Sequence, residues 1–155
     1  MTDTIATDNP LSPSETRTLA TLVSMMIPAS DEYGVPGADD DTIVADILGT
    51  AKQHVELLQA GLKDLDTFAS EHGAPFVELD HDARMGIVER QSDALAAFIR
   101  VVTSITVQCY YRDSRVMESL GMEARPPYPK GFDVPQGDWS MLDPVRDRGK
   151  IWRDA

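Results

Sequence analysis

Residues 12–28 read Ser-Pro-Ser-Glu-Thr-Arg-Thr-Leu-Ala-Thr-Leu-Val-Ser-Met-Met-Ile-Pro, and they decide the fold class. Ser12 is a helix-capping residue type. Pro13 suits the first helical position, where a missing N–H costs nothing, and Glu15 stands where a capping box needs it. Leu19, Leu22, Val23, Met26 and Ile27 follow at i, i+3, i+4, i+7 and i+8, an apolar stripe of helical period. Pro28 ends it. Such a helix buries one stripe, so the rest of the chain must offer matching ones.

Working outward, Pro28, Gly34, Pro36 and Gly37 make residues 28–39 an irregular connection. Asp39-Asp40-Asp41 then stands where carboxylates stabilise the free N–H groups of a helix start. Val44, Leu48, Ala51, Val55, Leu58, Leu62 and Leu65 recur every three or four residues, which predicts one long helix to about Glu71. Gly49 and Gly61 lie inside it as points of bending or breakage, each about 1 kcal/mol less favourable than Ala. Gly73 is its stop. Asp80 caps a helix from His81 to about Gln91 with Ala83, Ile87 and Val88 inward. Ser92 or Asp93 starts the next, striped by Leu95, Phe98, Ile99, Val102, Ile105 and Cys109. Thr103, Thr106 and Val107 leave a strand over 101–111 open, but the unbroken 3.6-residue period favours helix. Asp113 caps a short last helix carrying Val116, Met117 and Leu120 and closed by Gly121.

No alternating strand pattern or internal repeat occurs elsewhere. The reading is all-α: a single-domain bundle of five or six helices with an extended Pro- and aromatic-rich C-terminal tail. Residues 1–11 are expected to be a disordered arm, 12–121 the helical domain and 122–155 the tail. That tail holds five of the ten prolines and both tryptophans. It lacks the periodicity for a core of its own, and is expected to lie over a partner or over its own bundle.

The 155 residues are 42% apolar, enough for a folded domain. Formal charge is −12, carried by residues 1–120 with 20 acidic and 8 basic side chains, whereas residues 121–155 hold 6 of each. An acidic body disfavours nucleic acid, whose phosphates are bound by Lys and Arg, and anionic lipid likewise. The reading is no nucleic-acid partner and no direct membrane contact. A single cysteine, Cys109, forbids an intramolecular disulfide, and its place on an apolar stripe points to an inert thiol. Met1 to Pro13 shows no basic, apolar or twin-arginine leader pattern, and no apolar run is read as long enough to cross a bilayer.

Chemistry-bearing constellations are sparse. His54, His72 and His81 have neither each other nor Cys109 at metal-ligand spacing. Asp80-His81-Asp82 reads as a helix first turn. Asp31, Glu32 and Asp39–Asp41 lack the alternating oxygens and terminal Glu of a calcium loop. Glu-x-x-His pairs, glycine-rich phosphate loops and a Gly-x-Ser-x-Gly elbow are absent. The expectation is no catalytic, cofactor-binding or metal site in this chain. The expected partner interface is Tyr110, Tyr111, Arg112, Tyr128, Phe132, Trp139 and Trp152, because aromatic and Arg side chains dominate interface energetics.

Three segments carry a family resemblance: Glu15 to Asp39, with its Met-Met-Ile-Pro and Tyr-Gly-Val-Pro-Gly-Ala-Asp; Gly61-Leu-Lys-Asp-Leu-Asp with Gly73-Ala-Pro-Phe-Val-Glu-Leu; and Val107-Gln-Cys-Tyr-Tyr-Arg-Asp-Ser-Arg-Val. Over about residues 15–132 the chain resembles the gluconate 2-dehydrogenase subunit 3 family. The last element reads Asp-Ser where many members have Asp-Pro or His-Pro. The resemblance implies a non-catalytic small subunit that binds and stabilises a large FAD-dependent oxidoreductase of the glucose–methanol–choline type, acting on a sugar or other alcohol. FAD would sit in the partner, and a higher hetero-oligomer is left open. Many members carry a twin-arginine leader. Its absence here makes cytoplasmic residence the expectation, with periplasmic co-export with the partner as the alternative. The rival readings are a free-standing homo-oligomeric helical binding or structural protein, and a helical enzyme or ligand binder with an acidic pocket near Asp39–Asp41 or Asp80.

Overall fold

The computed structural model describes residues 9–126 and 128–150. The chain divides after Ala124 into two compact units. The first contains six helices: α1 (Pro13–Met26), α2 (Asp41–Thr50), α3 (Val55–Ser70), α4 (His81–Arg90), α5 (Ser92–Tyr110) and α6 (Ser114–Ser119). Among the described residues there is no strand, only an isolated antiparallel bridge between Ser30 and Val35. The chain is all-α, as its periodicity requires.

The local start signals act as read. Ser12 Oγ accepts from the Glu15 N–H at 3.3 Å, and the Glu15 carboxylate accepts from the Ser12 N–H at 2.8 Å. Asp40, Asp80 and Asp113 cap α2, α4 and α6 through the N–H groups of Thr42, Ala83 and Arg115. Each cap satisfies a donor that the helix leaves orphaned, typically about 1 kcal/mol.

α5 is the shaft of this unit. Its stripe of Leu95, Phe98, Val102, Ile105 and Cys109 is buried, and α1, α2, α3 and α4 all pack against it. By length and composition α5 is apolar enough to cross a membrane, contrary to the sequence reading; the stripe instead forms the core. Leu19, Leu22 and Val23 of α1 and Leu58, Leu62 and Leu65 of α3 complete that core, with Phe76 from a 3-10 turn (Phe76–Glu78). Arg84 holds the turn, donating to the carbonyls of Phe76 at 3.0 Å and Val77 at 2.7 Å.

Two expectations are corrected. The long helix to Glu71 is two helices, separated by a 3-10 turn over Ala51–His54. Ile43, Val44, Ile47 and Ala51 are the buried face before the turn, and Leu58, Gly61, Leu62, Leu65 and Ala69 the face after it. The turn re-phases the stripe so that both pieces face α5, leaving Leu48 and Val55 half-buried. Leu11, assigned to a disordered arm, is buried in the core, and Gln59 donates to the Pro10 carbonyl at 3.2 Å. Residues 1–8 of that arm lie outside the described residues.

The second unit has a 3-10 turn (Trp139–Leu142) and a one-turn helix, α7 (Asp143–Arg146). None of its described residues is buried. The Arg125 guanidinium lies 4.6 Å from the Phe132 ring centroid and donates to the Gly131 carbonyl at 2.8 Å.

At Gly61 of α3, Phe98 of α5 takes the space that a side chain would need. A Cβ there would overlap the Phe98 ring and stand 2.7 Å from Phe98 Cβ, whereas one at exposed Gly49 would meet nothing within 4 Å. Alanine in a helix gains about 1 kcal/mol over glycine, but overpacking a core costs about 1–3 kcal/mol. Gly61→Ala is therefore expected to lower the thermal midpoint and Gly49→Ala to raise it, as followed by circular dichroism.

Candidate partner-docking surface

Tyr110 and Tyr111 end α5 one residue apart, hence about 100° apart around the helix axis. Tyr110 turns inward, 4% exposed, and its hydroxyl donates to the Pro36 carbonyl at 3.1 Å. Burial, then the neighbouring Tyr111 and Asp113, push its pKa up, so it stays a donor. Tyr111 turns outward, 53% exposed, and meets Tyr110 edge-to-face with centroids 5.3 Å apart.

The Pro36 contact pins the connection between α1 and α2. Within it Ser30 and Val35 exchange two backbone hydrogen bonds at 3.0 and 3.1 Å. Gly34 closes this small hairpin at φ 63°, a conformation disfavoured for other residues. Tyr33 at the tip is 69% exposed. On the other side, α6 ends in a Schellman arrangement: Gly121 donates to the Glu118 carbonyl and Met122 to the Met117 carbonyl. Leu120, read as inward-facing, is 59% exposed. It sits at the cap itself, past the helical turn that buries Val116. Tyr33, Val35, Tyr110, Tyr111, Val116, Ser119 and Leu120 enclose an apolar cleft of about 200 Å³.

Beside the cleft runs a seam of ion pairs. Arg112 pairs with both Asp46 carboxylate oxygens through Nε and Nη2, and Nη2 also donates to Thr50 Oγ1 at 2.8 Å. Cys109 lies next to it, buried, its thiol donating to Thr50 Oγ1 at 3.6 Å. Burial pushes its pKa up, which keeps it a thiol and a poor nucleophile. Arg115 bridges two helix caps, reaching Asp40 at 2.7 Å and Asp113 at 2.9 Å. That guanidinium holds the Asp40 carboxyl at about 2, below its ordinary 3.8, and lowers Asp113 as well.

Of the expected interface residues within the first unit, the geometry brings Tyr111 and Arg112 to this surface. Tyr110 belongs to the core, because its ring continues the α5 stripe. Tyr128, Phe132 and Trp139 are exposed on the second unit, and Trp152 lies outside the described residues. Tyr33, Val35 and Leu120 were not anticipated. The Gly34 turn beside Tyr33 and the Gly121 stop beside Leu120 were the available signals.

The acidic candidates resolve into caps: Asp40 for α2 and Asp80 for α4. His72 Nδ1 faces the Phe68 carbonyl at 3.1 Å, and Arg90 donates to its Nε2 at 3.0 Å. Among the described residues, no group of three or more His, Cys, Asp or Glu side chains is placed to hold a metal ion.

The family model described as gluconate 2-dehydrogenase subunit 3 matches residues 13–123, and the chain belongs to that family. Neither a curated protein nor a solved structure matches it.

The Arg115 bridge predicts an acid response of definite sign. A carboxyl lowered in the folded state adds stability that is fully present above its ordinary value and lost as pH falls through its folded value. For Asp40 that window runs from 3.8 down to about 2. Arg115→Gln should be less stable than the parent at neutral pH in urea titrations. The gap should hold to near pH 4 and close towards pH 2.

Proposed function

From membership in the gluconate 2-dehydrogenase subunit 3 family, we propose that this chain is the accessory subunit that binds and stabilises a large FAD-dependent oxidoreductase of the glucose–methanol–choline type. The partner holds the FAD and oxidises a sugar or other alcohol, and this chain performs no step of that reaction. The family description supports a place in a dehydrogenase complex. The observation that carries the binding role is the apolar cleft at the α5–α6 end of the bundle. Tyr33, Tyr111 and Leu120 line it, each more than half exposed. Contiguous exposed apolar surface of this kind marks an interaction site far more often than a bare surface.

A docking role also fits the chemistry of the surroundings. Arginines 112 and 115 are engaged with Asp46, Asp40 and Asp113, and Cys109 is held as a buried thiol. Side chains engaged in this way fix geometry. None is left poised as a base or nucleophile beside the cleft.

Co-expression with the large flavoprotein, followed by size-exclusion chromatography and absorbance spectroscopy, tests the proposal. The expected result is one co-eluting complex with flavin, and a colourless isolated chain. A stoichiometric flavin on the isolated chain would contradict it. Within the complex, His54→Ala, His72→Ala and His81→Ala should each leave turnover within about threefold, a barrier change below about 1 kcal/mol. A hundredfold loss in any one, with assembly unchanged, would place that histidine in the chemistry.

A further inference from the structure

We propose that the cleft between Tyr33, Val35, Tyr111, Val116 and Leu120 receives one large apolar side chain from a segment of the large subunit that carries Lys or Arg on either side of it. The proposal rests on the reading of this chain as a dehydrogenase subunit. It adds which end of the body meets the partner and by what chemistry.

Size is the first argument. At about 200 Å³ the cleft falls below the 300–1,000 Å³ usual for cofactor and small-molecule sites. It has room for a side chain and too little for a flavin or a nucleotide. The walls are also fixed before binding. Tyr110 is tied to Pro36, Ser30 to Val35, and the α6 terminus closes on its own carbonyls. The Ser119 hydroxyl donates to the Val116 carbonyl at 2.7 Å, so the cleft floor holds no unmet donor there. A rigid apolar slot of this kind anchors an interface at low ordering cost.

Charge identifies the flanks of the guest. Asp31 and Glu32 immediately precede Tyr33, and Glu118 lies two residues before Leu120; all three are exposed. Among the described residues none of the three forms an ion pair, while the nearby cations Arg112 and Arg115 are taken up by Asp46, Asp40 and Asp113. The rim is therefore net negative, on a body with 20 acidic against 8 basic side chains. Lys or Arg beside the inserted side chain complements that rim and speeds encounter, and acidic flanks are repelled. The same argument disfavours a second copy of this chain, since a two-fold contact sets one acidic rim against the other. The cleft is one anchor inside a larger contact, because a stable interface buries about 800 Å² on each side.

Two full-length variants test this in titrations against the co-expressed large subunit. The pair Tyr111→Ser with Leu120→Ser should weaken Kd by about 30-fold, mainly through faster dissociation. The pair Asp31→Lys with Glu32→Lys sits on an exposed hairpin tip. It should slow association by about tenfold and flatten its dependence on salt. Circular dichroism melts report whether either fold is disturbed, and the lysine pair leaves the apolar contacts in place. A wild-type complex that both variants form within about twofold of the wild-type Kd would overturn the proposal while leaving the subunit reading intact. Absence of any wild-type complex would remove both. A dimer of the free chain that Leu120→Ser dissolves would assign the cleft to a second copy and overturn the proposal.

Discussion

The apolar stripe of α5 is the constraint on which the first unit depends. Leu95, Phe98, Val102, Ile105 and Cys109 face four helices at once, so each of those helices is placed by what it buries against this line. Burying a side chain of this size contributes about 1.5–3 kcal/mol. Close approach sharpens the constraint: Phe98 fills the space where Gly61 has no side chain. The stripe does not stop at the core. Its last member, Tyr110, carries the same burial to the end of the helix and adds a directed hydrogen bond to Pro36. The packing that makes the bundle thereby also fixes the loop that forms one wall of the cleft.

The opposite wall is fixed electrostatically. Arg115 joins the cap of α2 to the cap of α6, so the two helix starts are held against each other by one guanidinium. The paired cations leave the hairpin carboxylates as the dominant charge round the apolar opening. An exposed apolar cleft persists only where its walls are kept from collapsing into it. Here the tyrosine hydroxyl bond, the hairpin bridge and the Schellman end of α6 oppose collapse.

Helix starts were legible in the sequence because capping is local: Ser12, Asp80 and Asp113 each act within three residues of themselves. α5 was legible because its period is unbroken over five turns. The α2–α3 break was not. A spacing of three or four residues tolerates a change of phase, and only the need for both pieces to face α5 selects Ile43 and Ile47 over Leu48 and Val55. The cleft was half legible. Adjacent Tyr110 and Tyr111 must face different ways, but the sequence does not say which is inside. Tyr33 and Leu120 line one cleft beside the bond that pins residue 36 to residue 110, a contact between segments far apart in the chain.

Hydrogen–deuterium exchange of the full chain, free and bound to the large subunit, tests the central claim most directly. The account predicts that binding slows exchange at residues 30–35 and 116–122, flanking the cleft, and leaves α4 and the Phe76–Glu78 turn at their free-state rates. Protection centred on α4 or on Asp80–Asp82, with the cleft segments unchanged, would contradict it.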